Sequence, residues 1–178
     1  MPQIILFNKP YGVVTQFTGA AHEETLAAYI DIPNFYAAGR LDKNSEGLLL
    51  LTNDGALQHR LTHPKFEKKK YYWVQVEGAP KDSDLNPLRK GLTVGAHDFL
   101  PAEVQLIPEP ALWPRTPPIR VRKAIPTSWL EIILKEGKNH QIRKMTAAIG
   151  FPTLRLVRHR IGDWQLGTLQ PGEFIMKA

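Results

Sequence analysis

This chain is predicted to be an α+β protein, because pairs of strand-like apolar runs are separated by segments with helical periodicity. Its 178 residues, 43% hydrophobic and 22% charged, have globular composition and can bury a real core in one domain or two small lobes. No internal repeat or low-complexity tract interrupts them, which removes solenoid and linker architectures.

The elements follow in order. Ile4 to Phe7 is a short apolar strand, and Pro10 and Gly12 in the following Asn8-Lys9-Pro10-Tyr11-Gly12 favour a turn. Thr25 to Ile30 reads as a short helix. Residues 37–41 and 48–52 have strand character, with a polar loop between them. Asp54 is placed to cap a helix through Leu61, because Leu57 and Leu61 share a face at i,i+4. Tyr72 to Val76 is aromatic and β-branched, a strand that Gly78 to Pro80 ends. Ser83 to Lys90 reads as a helix stopped by Gly91.

Residues 108–126 are rich in proline and arginine with little periodicity, so they are expected to form a long basic loop. Trp129 to Leu134 is a strand. Asn139 to Ile149 is a helix with a favoured capping residue at its start, Ile142, Met145 and Ile149 along one face, and Gly150 and Pro152 at its end. Leu154 to Ile161 alternates Leu/Val with Arg, as a half-exposed strand would, and Gly162 ends it.

Composition excludes several classes of function. With no cysteine, disulfides, thiolate metal sites and a cysteine nucleophile are ruled out. The longest aliphatic run, Leu48 to Leu51, is far short of the roughly 20 residues of a membrane span. Residues 1–11 have neither the basic start nor the apolar stretch of a signal peptide, so a cytoplasmic protein is expected. The formal charge is +6. Residues 115–160 hold eleven Lys/Arg against two acids, which makes that stretch +9 and the remainder −3. A basic excess so concentrated points to a polyanion, and to nucleic acid in particular.

Gly39 to Gly47 is a charged loop between apolar segments, where a fold presents reactive groups. If Arg40 to Asp42 is extended, both charged side chains share one face and Leu41 points inward. A guanidinium at that distance keeps a carboxylate ionised, as a nucleophile or base requires. By itself the triplet reads far more readily as a surface ion pair at a turn. Glu46 could serve as a second, glycosidase-like carboxylate, but one loop holding both is a weak signal. His59 and His63 stand four apart with no third ligand, which reads as surface histidines and no metal.

The string GRLDKNSEGLLLLTNDG, Gly39 to Gly55, resembles the catalytic motif of the RNA pseudouridine synthases of the RsuA/RluB/RluE/RluF type. Four further segments keep that family's order: Phe7 to Gly12, Lys70 to Val74, Glu136 to Met145, and Arg155 to Arg158 with Ile161-Gly162. Tyr71 to Gly78 and Trp113 to Arg120 look most like the branch that modifies a uridine of 23S ribosomal RNA. The resemblance implies one catalytic domain over residues 1–178. Its fold would be a mixed, mainly antiparallel sheet in two lobes with flanking helices and a central cleft, and residues 108–126 would be a loop within it. The S4 RNA-binding module of many relatives is expected to be missing, since the Lys-Pro motif starts at once.

The resemblance also implies roles. Asp42 would enable cleavage of the uridine N1 to C1′ bond, either by attacking the sugar or by taking the C2′ proton. Tyr72 would lie beside the uracil, Arg143 would pair with the catalytic aspartate, and Leu156 would form an apolar wall under the base. Arg40, Lys9, Lys138, His140, Arg155 and Arg158 would contact the substrate. No metal or cofactor is implied, and the partner would be ribosomal RNA bound by a monomer. Two rivals remain: a non-catalytic RNA-binding module, and a glycoside hydrolase or N-glycosidase using Asp42 and Glu46.

Overall fold

In the computed structural model, which describes every residue except Met1, Glu67, Val121 and Lys123, the chain divides into two compact units. One comprises Met1–Lys68 with Arg158–Ala178, the other Lys69–Val157. The chain opens with β1 (Ile4–Lys9), β2 (Val13–Val14), β3 (Glu24–Thr25), β4 (Tyr36–Ala37) and β5 (Glu46–Thr52), followed by α1 (Gly55–Thr62). Then come β6 (Lys70–Glu77), α2 (Asn86–Lys90), β7 (Leu92–Val94), β8 (His97–Phe99), β9 (Glu103–Ile107) and β10 (Thr127–Leu134). The last elements are α3 (Gln141–Ala148), β11 (Thr153–Ile161), β12 (Trp164–Gln165) and β13 (Phe174–Lys177). The α+β expectation holds: β1 pairs antiparallel with β13 and β5, β10 with β6 and β9, β11 with β12, β4 with β5 and β7 with β8, whereas β2 and β3 pair parallel.

In the first unit, β1 lies between β13 and β5, and every residue of β1 and β5 is buried. β1 is longer than the sequence suggests. Asn8 and Lys9, expected in a turn, face Leu48 and Gly47 across the ladder, which extends the strand to Lys9. Residues 37–41 are not one strand either: only Tyr36 and Ala37 pair with β5, because Gly39 turns away at φ +91°. The helix expected at 25–30 is a single 3-10 turn, Leu26–Ala28. Asp54 caps α1 as expected, its Oδ1 accepting from the amides of Ala56 and Leu57. Ile5, Phe7, Leu26, Phe35, Leu41 and Leu51 belong to this unit's core.

In the second unit, β10 runs antiparallel to both β6 and β9. Tyr72, Val74, Leu130, Ile132 and the α3 residues Ile142 and Met145 form its core. The helix expected over 83–90 begins as a 3-10 turn, Asp82–Leu85, and becomes α-helical only at Asn86, where Pro87 brings no backbone N–H. Helix α3 has the predicted apolar face, but His140 at φ 49° stands at its start where Asn139 was expected, with no side-chain cap. The β7–β8 hairpin closes locally across Gly95 and Ala96, whereas β9 is defined by its pairing with the distant β10.

The described residues of 108–126 form no helix or strand. Two guanidinium groups pin the segment: Arg155 Nη2 donates to Trp113 O at 2.8 Å, and Arg115 Nη1 to Leu154 O at 3.3 Å.

Candidate active site

Asp42 sits half-buried between β4 and β5, opening a turn in which Ser45 N donates to its carbonyl at 2.9 Å. Arg40 to Asp42 is loop rather than strand, yet Leu41 points inward as expected while Arg40 is exposed. The Thr15 hydroxyl holds Leu41 at both ends, donating to its carbonyl at 2.5 Å and accepting from its amide at 3.2 Å. Gly12 N donates to Lys43 O at 2.8 Å. The Lys-Pro turn and the Asp42 turn are therefore tied to each other by backbone.

Lys9 completes that tie. Its side chain is fully buried, and its amine donates to the carbonyls of Pro10 (2.9 Å), Val13 (2.8 Å) and Lys43 (3.4 Å). Burial lowers the amine from its ordinary 10.5 to about 7, against the pull of Glu46 and Asp42 and with help from Arg158. A side chain with no exposed surface cannot reach an RNA phosphate. The substrate contact expected of Lys9 is thus replaced by a structural duty, holding the turns that bracket Asp42.

Arg158 acts from β11. It is 4% exposed; Nε donates to Leu48 O at 2.9 Å and Nη1 to Arg40 O at 3.2 Å, so one guanidinium spans both ends of the loop that carries Asp42. Nη2 is buried with no hydrogen-bond partner among the described residues. The approach is close. A Cβ on Gly47, at φ +108°, would lie 2.2 Å from Arg158 O, so no other residue fits there. Leu154 to Ile161 is accordingly not the half-exposed strand expected, since residues 155 to 158 are all buried.

In the second unit, Tyr72 is 8% exposed on β6, opposite Ile132, and Leu156 is 6% exposed in the same core. Arg143 is half-buried on α3, next to buried Ile142. Lys138 and His140 are exposed ahead of α3. The Lys138 ammonium lies 5.9 Å from the Phe99 ring centroid, donates to Asp98 O and pairs with Glu136 at 3.5 Å. Arg155 is 7% exposed and packs over the Trp113 ring at 5.8 Å while holding that residue's carbonyl. Like Arg158, it commits part of its guanidinium to a backbone carbonyl.

Lys9, Arg40, Asp42 and Arg158 thus fall in the first unit, and Tyr72, Lys138, His140, Arg143, Arg155 and Leu156 in the second. Sequence reasoning missed Thr15 and the clamping role of Arg158. A glycine directly after buried Glu46 was the one available signal of a close-passing strand. Among the described residues no group of three or more His, Cys, Asp or Glu could hold a metal ion, and no helix is long and apolar enough to cross a membrane.

Comparison with known proteins gives the family. The family described as RNA pseudouridylate synthase matches residues 3–148. The chain is 55% identical over 172 residues to the ribosomal large subunit pseudouridine synthase E of Vibrio parahaemolyticus, across 97% of this chain and 72% of the relative. It is 53% identical over 178 residues to the protein of the same name from Xanthomonas axonopodis pv. citri, across 98% and 94% of the two. A crystal structure of a pseudouridylate synthase matches with a TM-score of 0.82 at 26% identity, covering 100% of this chain and 71% of that one.

Proposed function

Since this chain belongs to the RNA pseudouridylate synthase family, we propose that its substrate is a uridine of the large-subunit ribosomal RNA, the 23S molecule. The N1 to C1′ bond breaks, the uracil turns, and C1′ is rejoined to C5. C5 loses its proton, N1 gains one, and the product is an isomer of the substrate. The observation that carries the reading is identity above 50% to ribosomal large subunit pseudouridine synthases over nearly the whole chain.

Asp42 is the carboxylate of the reaction, as nucleophile at C1′ or as base at C2′, held in place by Lys9, Thr15 and Arg158. Tyr72 supplies a ring and a hydroxyl for the uracil, Leu156 an apolar wall, and Arg143 acts in the chemical step. Arg40 and His140, both exposed, contact the RNA. A stacked uridine must be turned out first, at a cost of about a few kcal/mol that phosphate contacts offset. The exposed cations Arg120, Arg122, Lys135 and Lys138 supply those contacts. The enzyme works as a cytoplasmic monomer, one catalytic domain over residues 1–178, with no cofactor.

The experiment is tritium release. Large-subunit RNA transcribed with 5-tritiated uridine should lose label to water on incubation with the protein, and reverse-transcription mapping should find pseudouridine at one position. Asp42→Asn should abolish the release while leaving RNA affinity near normal. Free uracil, or full release by the Asn variant, would overturn the reading.

A further inference from the structure

Helix α1 and the 3-10 turn Pro64–Phe66 carry a cluster outside the site described above. Leu61 is the buried residue of the helix and half-buried Gln58 lies beside it, its Nε2 donating to Ala37 O at 2.9 Å, while a Cβ on Gly39 would lie 3.7 Å from the methyl of exposed Thr62. The helix therefore lies against the segment that runs directly into Arg40 and Asp42. His59 and His63, one position along, are exposed with ring centroids 4.7 Å apart. Phe66 stands edge-on to both, at 5.9 and 6.3 Å with interplanar angles of 87° and 79°.

The apolar ring of Phe66, left 40% exposed, forgoes the gain of burial, and with the two exposed imidazoles beside it it offers a surface of aromatic faces to a partner with a π-face. Cations accompany them. The Lys65 ammonium lies 5.0 Å from the Phe66 centroid, Arg60 is exposed on the same helix, and Gly55 to Phe66 contains no acid. Lys65 N donates to His63 Nδ1 at 3.2 Å, so the neutral imidazole carries its proton on Nε2 as a hydrogen-bond donor. Aromatic faces interleaved with cations are the chemistry that binds unpaired nucleotides: the rings stack bases and the charges follow the phosphates.

We propose that His59, His63 and Phe66, with Arg60 and Lys65, form a stacking subsite for an unpaired base of the RNA strand that leads to Asp42. The proposal rests on the RNA-modifying reading above and extends it to a surface outside the catalytic residues. A duplex keeps its bases stacked on each other, so the subsite favours single-stranded over paired RNA.

The test uses the full chain and two labelled probes read by fluorescence anisotropy: a single-stranded oligouridylate of about a dozen nucleotides and an RNA duplex of equal length. Phe66→Leu keeps apolar bulk but removes the π-face. It should weaken single-strand binding by roughly 5- to 100-fold while leaving duplex affinity and the salt slope unchanged, since stacking releases no counterions. Lys65→Ala should lower the single-strand salt slope by about 0.7. Phe66→Trp should bind at least as tightly as the wild type, which separates loss of the ring from loss of fold. Single-strand affinity within twofold of wild type for Phe66→Leu, equal losses on both probes, or a Trp variant as weak as the Leu variant would each overturn the subsite. Tritium release by the wild-type enzyme is scored separately: release with no effect of Phe66→Leu sinks only the subsite, whereas no release sinks the functional reading.

Discussion

Replacing Arg158 with methionine isolates the clamp on the Asp42 loop. The substitution keeps an unbranched buried stem and deletes the donors to Arg40 O and Leu48 O. A buried carbonyl that loses its donor costs about 1–3 kcal/mol; Leu48 O is such a group, whereas Arg40 O belongs to an exposed residue that water can partly satisfy, so the gross loss is about 2–4 kcal/mol. Two effects offset part of it: a buried charge with one unpartnered nitrogen is removed, and Lys9 is relieved of a neighbouring positive charge. The expected net loss in urea unfolding is therefore near the low end, about 2 kcal/mol, with the m-value unchanged. A larger effect is expected on chemistry, because a reacting group misplaced by about 1 Å can cost on the order of 100-fold in rate. In single-turnover tritium release the rate should fall by about that factor while the RNA concentration for half-saturation hardly moves, since Arg158 is buried. Arg158→Lys keeps the charge but not the fork, so it should restore stability better than rate. A variant that loses stability but keeps the full rate would refute the positioning argument, and one that loses only affinity would make Arg158 a phosphate contact after all.

Three further outcomes are expected. Arg143→Ala should lower the rate on bound RNA far more than the affinity; a loss confined to affinity, with a salt slope smaller by about one unit, would assign it to a phosphate. For Lys9, whose amine burial lowers to about 7 in the folded chain and which keeps 10.5 unfolded, the unfolded state binds the extra proton between those values. Stability relative to Lys9→Met should then rise with pH from about 7 to about 10.5, by on the order of 5 kcal/mol; a flat difference would show that the three carbonyls hold the ammonium against burial. Replacing exposed Arg120 and Arg122 together with Ala should raise the RNA needed for half-saturation and reduce the salt slope by up to about two units, whereas an unchanged slope would make residues 108–126 a solvated surface.

The loop proposed to carry the reaction was legible in the sequence because its residues are consecutive: the candidate Asp42 is read from the string around it, and the Asp54 cap, the apolar face of α3 and β10 are read from local pattern alone. The basic excess of residues 115–160 was legible only as a sum. Arg155 and Arg158 count towards it, yet both are buried, and Arg115 spends its donors on the carbonyls of Pro117, Pro118 and Leu154. Lys9 was misjudged in the same way.

By itself, then, the sequence determined the family, the α+β class and the local elements whose signals lie within a few residues of each other, and it singled out Asp42 as the candidate carboxylate. Only the tertiary structure decided which cations face solvent and which hold the loop, because burial depends on partners remote in the chain. The clamp joins Arg158 to a carbonyl 118 residues away, and β13 closes on β1 from the opposite end. Propensity and periodicity report on neighbours along the chain, whereas desolvation of a charge is set by whatever packs against it in space.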